Sequence, residues 1–278
     1  IGGVILAFVG VRLGWWRHQE SMIRRARPER RAHASRAWAE TLRASGPAFH
    51  EASFLARVRL AFQRAQDGWC AQDLEPLQHF VSDGVFERFS LQIEEQRADG
   101  WRQGMVLAGV GPLAIVHARP GRHFETVTVR IPFRADIHRV DLAGEKRIQG
   151  SQLPRESFSE CWSFVRRRGT KTISGEGLIE GKCPNCGAEL RMNRSARCEY
   201  CQCLARSGQF DWVLTEITQT SEWSAADERE IPGLARILER DAGMNAQMLE
   251  DRASVAFWRQ SGADRLGRVG PLARIAGE

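Results

Sequence analysis

Apolar and polar positions along residues 51–217 repeat first with a helical period and then with a strand period. Phe54, Val58, Ala61, Phe62, Ala65 and Trp69 recur three and four apart, which predicts an amphipathic helix over 51–69 with one buried face. Residues 73–81 and 84–96 repeat the pattern, with Leu74, Leu77, Phe80, Val85, Phe89 and Ile93 inward, and predict two further helices. After Gly100 the period changes. Residues 105–117 carry Val106, Val110, Leu113, Ile115 and Val116 with glycines among them, the pattern of a bent strand. Residues 124–140 set Val127, Val129, Ile131 and Phe133 against Thr126, Thr128 and Arg130, the alternation of a strand with one buried face. A turn is expected at 141–144. Two segments rich in β-formers, 160–166 and 210–217, then complete the sheet. Three helices followed by antiparallel strands predict an α+β domain.

Between those last two strands lies a cysteine pattern. Cys183-Pro-Asn-Cys186 is followed eleven residues later by Cys198-Glu-Tyr-Cys201. Two Cys-x2-Cys turns suit tetrahedral Zn2+, because each turn aims two thiolates at one ion and Gly187 supplies the left-handed residue the turn needs. With four sulfur ligands and no open position, the expected zinc is structural, since a module of this size buries too little apolar surface to order itself. Two disulfides are the other reading. Cys203 is a spare beside the second pair, able to exchange with Cys201 but more simply a non-ligand. Cys70 and Cys161 are expected as buried thiols.

The chain opens on sixteen largely apolar residues ending in Trp15 and Trp16. A bilayer needs about twenty such residues, so 1–16 is expected to be the C-terminal part of a membrane helix, with a signal-peptide core or buried strand as alternatives. Residues 17–36 then hold seven arginines and two glutamates. Trp15, Trp16, Arg17, Arg24, Arg25, Arg27, Arg30 and Arg31 are therefore expected at the membrane surface, with the flank on the cytoplasmic side and membrane lipids as partners. The resulting division is a helix at 1–16, a basic juxtamembrane linker at 17–46, and an α+β domain at 47–220 with its zinc insertion at 182–205.

Net charge is +6, yet 37 of the 40 basic residues are arginine, a bias that nucleotide composition also produces. The charge is therefore weak evidence for nucleic acid, and no specific nucleic-acid partner is expected. A ribosome- or nucleic-acid-associated zinc module would need Arg166, Arg167, Arg168, Lys171, Lys182, Arg191, Arg194 and Arg197 on one face. Asp136, His117 and His138 lie on or beside predicted strands. No Ser/His/Asp order, phosphate-cradling loop or His-rich metal motif accompanies them, and Gly109-Val-Gly111 is a strand bend, so no catalytic residue is assigned. A partly buried Asp–His pair inside a pocket would favour an enzyme.

Phe54–Phe62 followed by Asp73-Leu74, the string Cys161-Trp162-Ser163-Phe164-Val165-Arg166, and Asp211-Trp212-Val213-Leu214 resemble one family. It is the membrane-facing C-terminal domain of mitochondrial inner-membrane translocase subunit 44, the import-motor tether, with its bacterial relatives. The resemblance spans roughly 49–219. It implies a cone like nuclear transport factor 2, with helices on a curved antiparallel sheet around an apolar pocket, and association with the inner (cytoplasmic) membrane. The zinc insertion and the expected lack of a long helical chaperone-recruiting region depart from the mitochondrial protein, so its chaperone-tether role is not carried over; a bacterial-type member is expected.

Within such a cone the surplus of large apolar residues on short strands predicts a pocket. Phe62, Trp69, Val129, Ile131, Phe133, Trp162, Phe164, Phe210, Trp212 and Leu214 are its expected lining, with a lipid acyl chain or an unfolded polypeptide segment as occupant. The competing reading is a solid core. The chain is thus expected to be a non-enzymatic, membrane-anchored binding or scaffold module. Finally, 49–83 and 244–278 align without a gap at six identities in 35 positions, including Ala61/Ala256, Phe62/Phe257 and Pro76/Pro271. Residues 221–278 therefore read as a linker and the start of a second, truncated copy of the domain.

Overall fold

The first helix, α1 (Glu51–Ala71), is fixed at both ends by local chemistry. His50 accepts the Ser53 N–H at 3.2 Å as its N-cap, and Gln72 closes it in the left-handed region at φ 55°. Phe54, Val58, Ala61, Phe62 and Ala65 form its buried stripe, as the spacing predicts. The computed structural model describes residues 49–274, apart from 122, 145, 150–155, 171–175, 192–196, 225–231, 242–243, 268 and 271. The expected membrane helix at 1–16 and its arginine-rich flank lie outside the described residues. Among the described residues, no helix is long and apolar enough to cross a membrane.

The helix expected at 73–81 is not formed. That stretch turns sharply and holds only one 3-10 turn at Leu77–His79. The reason is a close approach: Asp73 N–H bonds back to the Gly68 carbonyl at 2.9 Å, and a Cβ on Gly68 would lie 2.5 Å from Leu77 Cδ1. Leu77 is thereby folded onto α1 and fully buried. Helix α2 (Asp83–Ala98) follows, its N-terminus capped by Ser82.

Six antiparallel strands make the sheet: β1 (Trp101–Val110), β2 (Ala114–Pro120), β3 (Phe124–Asp141), β4 (Arg147–Gln149), β5 (Glu156–Arg167) and β6 (Val213–Gln219). β3 is the axis. β1 and β2 lie end to end along one side of it, β5 pairs along the other, and β6 lies outside β5. The single bent strand expected at 105–117 is in fact these two, β1 and β2, separated at residues 111–113. The break falls opposite Pro132, which has no N–H to give the ladder but accepts the Gly111 N–H at 2.8 Å. The last strand also starts later than expected, at Val213, because Asp211 uses its side chain to accept backbone N–H groups at that point.

Helix α1 lies over the sheet, and the core forms between them. Phe62 meets Phe133 at 4.9 Å and Trp162 at 5.5 Å, while Phe54 meets Trp212 at 4.9 Å. Two more helices follow the sheet, α3 (Leu234–Arg240) and α4 (Ala246–Leu266). Helix α4 falls in the stretch expected to open a second copy. It packs along α2: Asp251 accepts Ser82 Oγ–H at 2.5 Å and Gly84 N–H at 3.0 Å. Arg259 grips Glu87 through two bonds, and Arg265 reaches Glu95 at 2.7 Å.

Candidate functional site

The connection from β5 to β6 is far longer than a hairpin needs, and the cysteine module fills it. Its base is clamped to α1. Arg57 donates to both Glu180 carboxylate oxygens, at 3.0 and 3.1 Å, and to Asp211 at 2.7 Å. Burial pushes the Asp211 carboxyl above the usual carboxylate range, against the pull of Arg57 and of the Trp212 and Leu178 N–H groups. Beyond the module, Arg206 donates to the Val81 carbonyl at 3.0 Å and pairs with Asp83 at 3.1 Å, tying it to the start of α2. Leu178, Ile179, Leu190 and Ala205 join the main core, so the module is packed against the domain.

Its two knuckles repeat one backbone design. Gly187 N–H bonds to the Cys183 carbonyl at 2.8 Å, and Gln202 N–H to the Cys198 carbonyl at 2.9 Å. Both turning residues are left-handed, Gly187 at φ 74° and Gln202 at φ 59°. The sulfurs of Cys183, Cys186, Cys198 and Cys201 lie within 4.8 Å of one another, and none of the seven cysteines is in a disulfide among the described residues. Thiolates about 2.3 Å from a tetrahedral ion stand roughly 3.8 Å apart. The observed 3.7 Å from Cys183 to Cys201 and 4.0 Å from Cys186 to Cys198 match that edge. Asn185 Nδ2 donates to Cys201 Sγ at 3.4 Å. With the Cys203 backbone N–H also directed at that sulfur, the Cys201 thiol is lowered to about 6. The donor set is therefore compatible with a metal ion, as the spacing predicts.

The second feature is a cavity of about 500 Å³ between the two long helices and the sheet. Trp69 and Phe89, whose rings are 5.1 Å apart, form part of its helical wall. Phe158 and Trp162 from β5 and Ile217 from β6 form part of the opposite wall, and Arg265 and Leu266 at the end of α4 border it. The lining is not purely apolar. Gln66, Gln92, Gln96, Gln103 and Glu160 also border the space, and Trp69 Nε1 is buried with no hydrogen-bond partner among the described residues.

Of the ten residues expected to line a pocket, Trp69 and Trp162 border this cavity. Phe62, Val129, Ile131, Phe133, Phe164 and Leu214 are buried in the core beneath α1. Phe210 is half-buried in the loop before β6, and Trp212 packs under Phe54 and beneath the Arg166 guanidinium, 4.4 Å away. Alternation explains the shift. Val129, Ile131 and Phe133 fill the space below α1, and the next residue of the same register is Ala135, whose small side chain leaves the cavity its room. The glutamines carried no sequence signal, because amides on the face of a helix or strand are ordinarily solvated.

Asp136 and His138 also border the cavity. His138 Nδ1 stands 3.6 Å from Asp136 Oδ1, too far for a hydrogen bond, while Asp136 Oδ2 is held by Arg147 at 2.7 Å. The His138 ring lies against Gly104, where a Cβ would come within 2.5 Å of Nε2. His117 packs near Trp223, away from the cavity, and burial lowers its pKa. The basic face required for nucleic acid is incomplete. Arg166 is buried in an ion pair with Glu125, and Lys171 and Arg194 lie outside the described residues.

No curated protein matches the sequence. A comparison with protein families matches residues 35–175, just over half of the chain, to the Tim44-like domain. The match takes in α1, α2 and β1–β5 and stops at the entry to the cysteine module, so the module and β6 stand beyond it. On that match, the chain belongs to the Tim44-like domain family.

Proposed function

We propose that this protein is a membrane-surface binding module in which the cavity between α1, α2 and the sheet takes an apolar guest. The cavity itself carries the reading. About 500 Å³ falls within the ~300–1,000 Å³ of ordinary ligand sites, and aromatic walls with a few polar groups are their usual lining. A lipid acyl chain or an unfolded polypeptide segment fits that chemistry. Membership of the Tim44-like family favours a binding or scaffold role over catalysis. A bacterial inner-membrane location, with the domain on the cytoplasmic side and anchored through 1–16, belongs to the same proposal. So does structural Zn2+ at Cys183, Cys186, Cys198 and Cys201, which would hold the insertion folded in a reducing compartment.

The test separates core from lining. Phe62 is fully buried and off the cavity, so Phe62→Ala is expected to cost about 3–5 kcal/mol and unfold the domain. Phe89→Gln, at the cavity wall, is expected to leave folding intact and abolish binding of a fluorescent fatty acid or an apolar peptide. Uncharged vesicles and a neutral peptide keep the arginine-rich flank from producing binding by charge alone. Wild-type protein that binds neither probe leaves the proposal without support.

A second reading rests on Asp136 and His138. A partly buried Asp–His pair beside a cavity suits acid–base chemistry, but Arg147 already occupies the carboxylate that would orient the imidazole. Arg147→Ala would release Asp136 toward His138. Turnover of any carbonyl substrate that appears in that variant and vanishes with His138→Ala would favour the enzyme.

A further inference from the structure

We propose that Cys203 is a fifth, exchanging ligand of the metal site, competing with Cys201 for the vertex beside Cys183. The proposal rests on the reading of the four-cysteine cluster as a zinc site. Its argument begins with the equivalence of the two knuckles. Cys183 N–H bonds to the Ala188 carbonyl at 2.8 Å, and Cys198 N–H bonds to the Cys203 carbonyl at 3.0 Å. Cys203 is thus the counterpart of Ala188, so the second knuckle places a thiol where the first places a methyl group.

That thiol points at the cluster. Cys203 Sγ lies 3.6 Å from Cys183 Sγ, against 3.7 Å for Cys201. Both distances match the ~3.8 Å edge of a tetrahedral thiolate site, yet such a site takes four ligands and not five. Cys201 and Cys203 are both half-buried beside the core, and the residue between them, Gln202, is a non-glycine held at φ 59°.

The exchange balances. Cys203 would give up its thiol proton to solvent and form a sulfur–metal bond, while the Cys201–metal bond would break and leave Cys201 as a thiolate. Ligand number is unchanged, and no oxidant is needed. The site would then keep a thiophilic divalent ion such as Zn2+ through loss of either cysteine.

The test uses the full chain. Native alkylation of zinc-loaded protein with iodoacetamide, followed by mass spectrometry of the tryptic peptide 198–206, is expected to give singly modified peptide as two isomers, at Cys201 and at Cys203, with zinc retained. Modification at Cys203 alone, with Cys201 protected until zinc is removed, would overturn the proposal. In variants, Cys201→Ser and Cys203→Ser are each expected to bind about one zinc per chain with affinity within about tenfold of wild type, and cobalt-loaded Cys201→Ser to keep a four-thiolate spectrum. Cys198→Ser and the double variant should lose more than the ~100-fold that outer contacts account for. Cys201→Ser falling as far as Cys198→Ser sinks the exchange alone. Wild-type protein that binds no zinc sinks the zinc reading itself, and the exchange with it.

Discussion

The Arg57 guanidinium donates to the Asp211 carboxylate at 2.7 Å, joining helix α1 to a residue 154 positions later in the chain. The same guanidinium holds Glu180, so one arginine grips both the entry and the exit of the cysteine module. The pair is buried, with side chains 10% and 2% exposed.

Arg57→Ala is therefore expected to cost about 3–5 kcal/mol, the penalty of leaving a buried charge unpaired. Arg252→Ala is the contrast, because its pair with Asp83 is exposed and worth about 0–1 kcal/mol. Urea denaturation of both variants checks the ranking. Equal midpoints would show that the clamp contributes nothing beyond an ordinary surface pair.

Metal removal is expected to act locally first. Structural zinc supplies an apparent ~10–16 kcal/mol in isolated modules, far more than the apolar surface of this insertion replaces. Excess chelator should expose amide protons across 177–211, while β3 and β5, paired over twelve positions, stay protected. Hydrogen exchange read by mass spectrometry distinguishes this from global unfolding. Unchanged protection in 177–211 after verified zinc loss would refute a structural role.

What the sequence disclosed was periodicity and spacing. The 3.6-residue stripe from Phe54 to Trp69 placed α1 within two residues of its observed end, and the cysteine spacing located four convergent sulfurs. What it concealed depends on tertiary partners. Leu77 leaves the helical pattern because bare Gly68 lets it fold back, and Asp211 leaves the strand because Arg57 and two N–H groups claim its carboxylate. The lining of the cavity was hidden for a related reason. Large apolar residues announce burial, whereas the space depends on Ala135 and is bordered by amides that read as surface. The sequence placed Cys203 beside the second pair, and only the fold sets its sulfur 3.6 Å from Cys183 Sγ.

Asp251 gives the docking of α4 a pH dependence. Burial raises its pKa above the ordinary carboxylate range, outweighing the Ser82 and Gly84 donors and Arg252, while Asp83 adds to the rise. The folded protein therefore holds the proton more tightly than the unfolded chain does. The contribution of Asp251 to stability is highest below the ordinary range (roughly 4) and falls as pH rises from there through the raised value. Asp251→Asn keeps an acceptor for Gly84 and removes the charge. It is expected to flatten this decline between pH 4 and neutrality, as read from melting temperatures, and an unchanged slope would place the titration elsewhere.

Two glycines at the α2–α4 crossing should differ in their response to alanine. A Cβ on Gly84 would stand 2.4 Å from Asp251 Oδ1 and 2.7 Å from the Asp251 backbone carbonyl. Backbone cannot rotate away, so Gly84→Ala is expected to push α4 off α2 at a cost of about 1–3 kcal/mol. A Cβ on Gly262 would instead meet Leu91 Cδ2 at 2.7 Å, the far end of a side chain that can change rotamer. Replacing a helix-interior glycine by alanine returns about 1 kcal/mol, so Gly262→Ala should be nearly neutral. Because α4 ends with Arg265 and Leu266 at the cavity, undocking also opens that site to solvent. Limited proteolysis within α4 and binding of the fatty-acid probe, measured on both variants, read the two effects together. Gly84→Ala should raise cleavage and weaken binding, whereas Gly262→Ala should leave both near wild type. If Gly84→Ala frees α4 and binding is unchanged, the helix is no part of the cavity's closure.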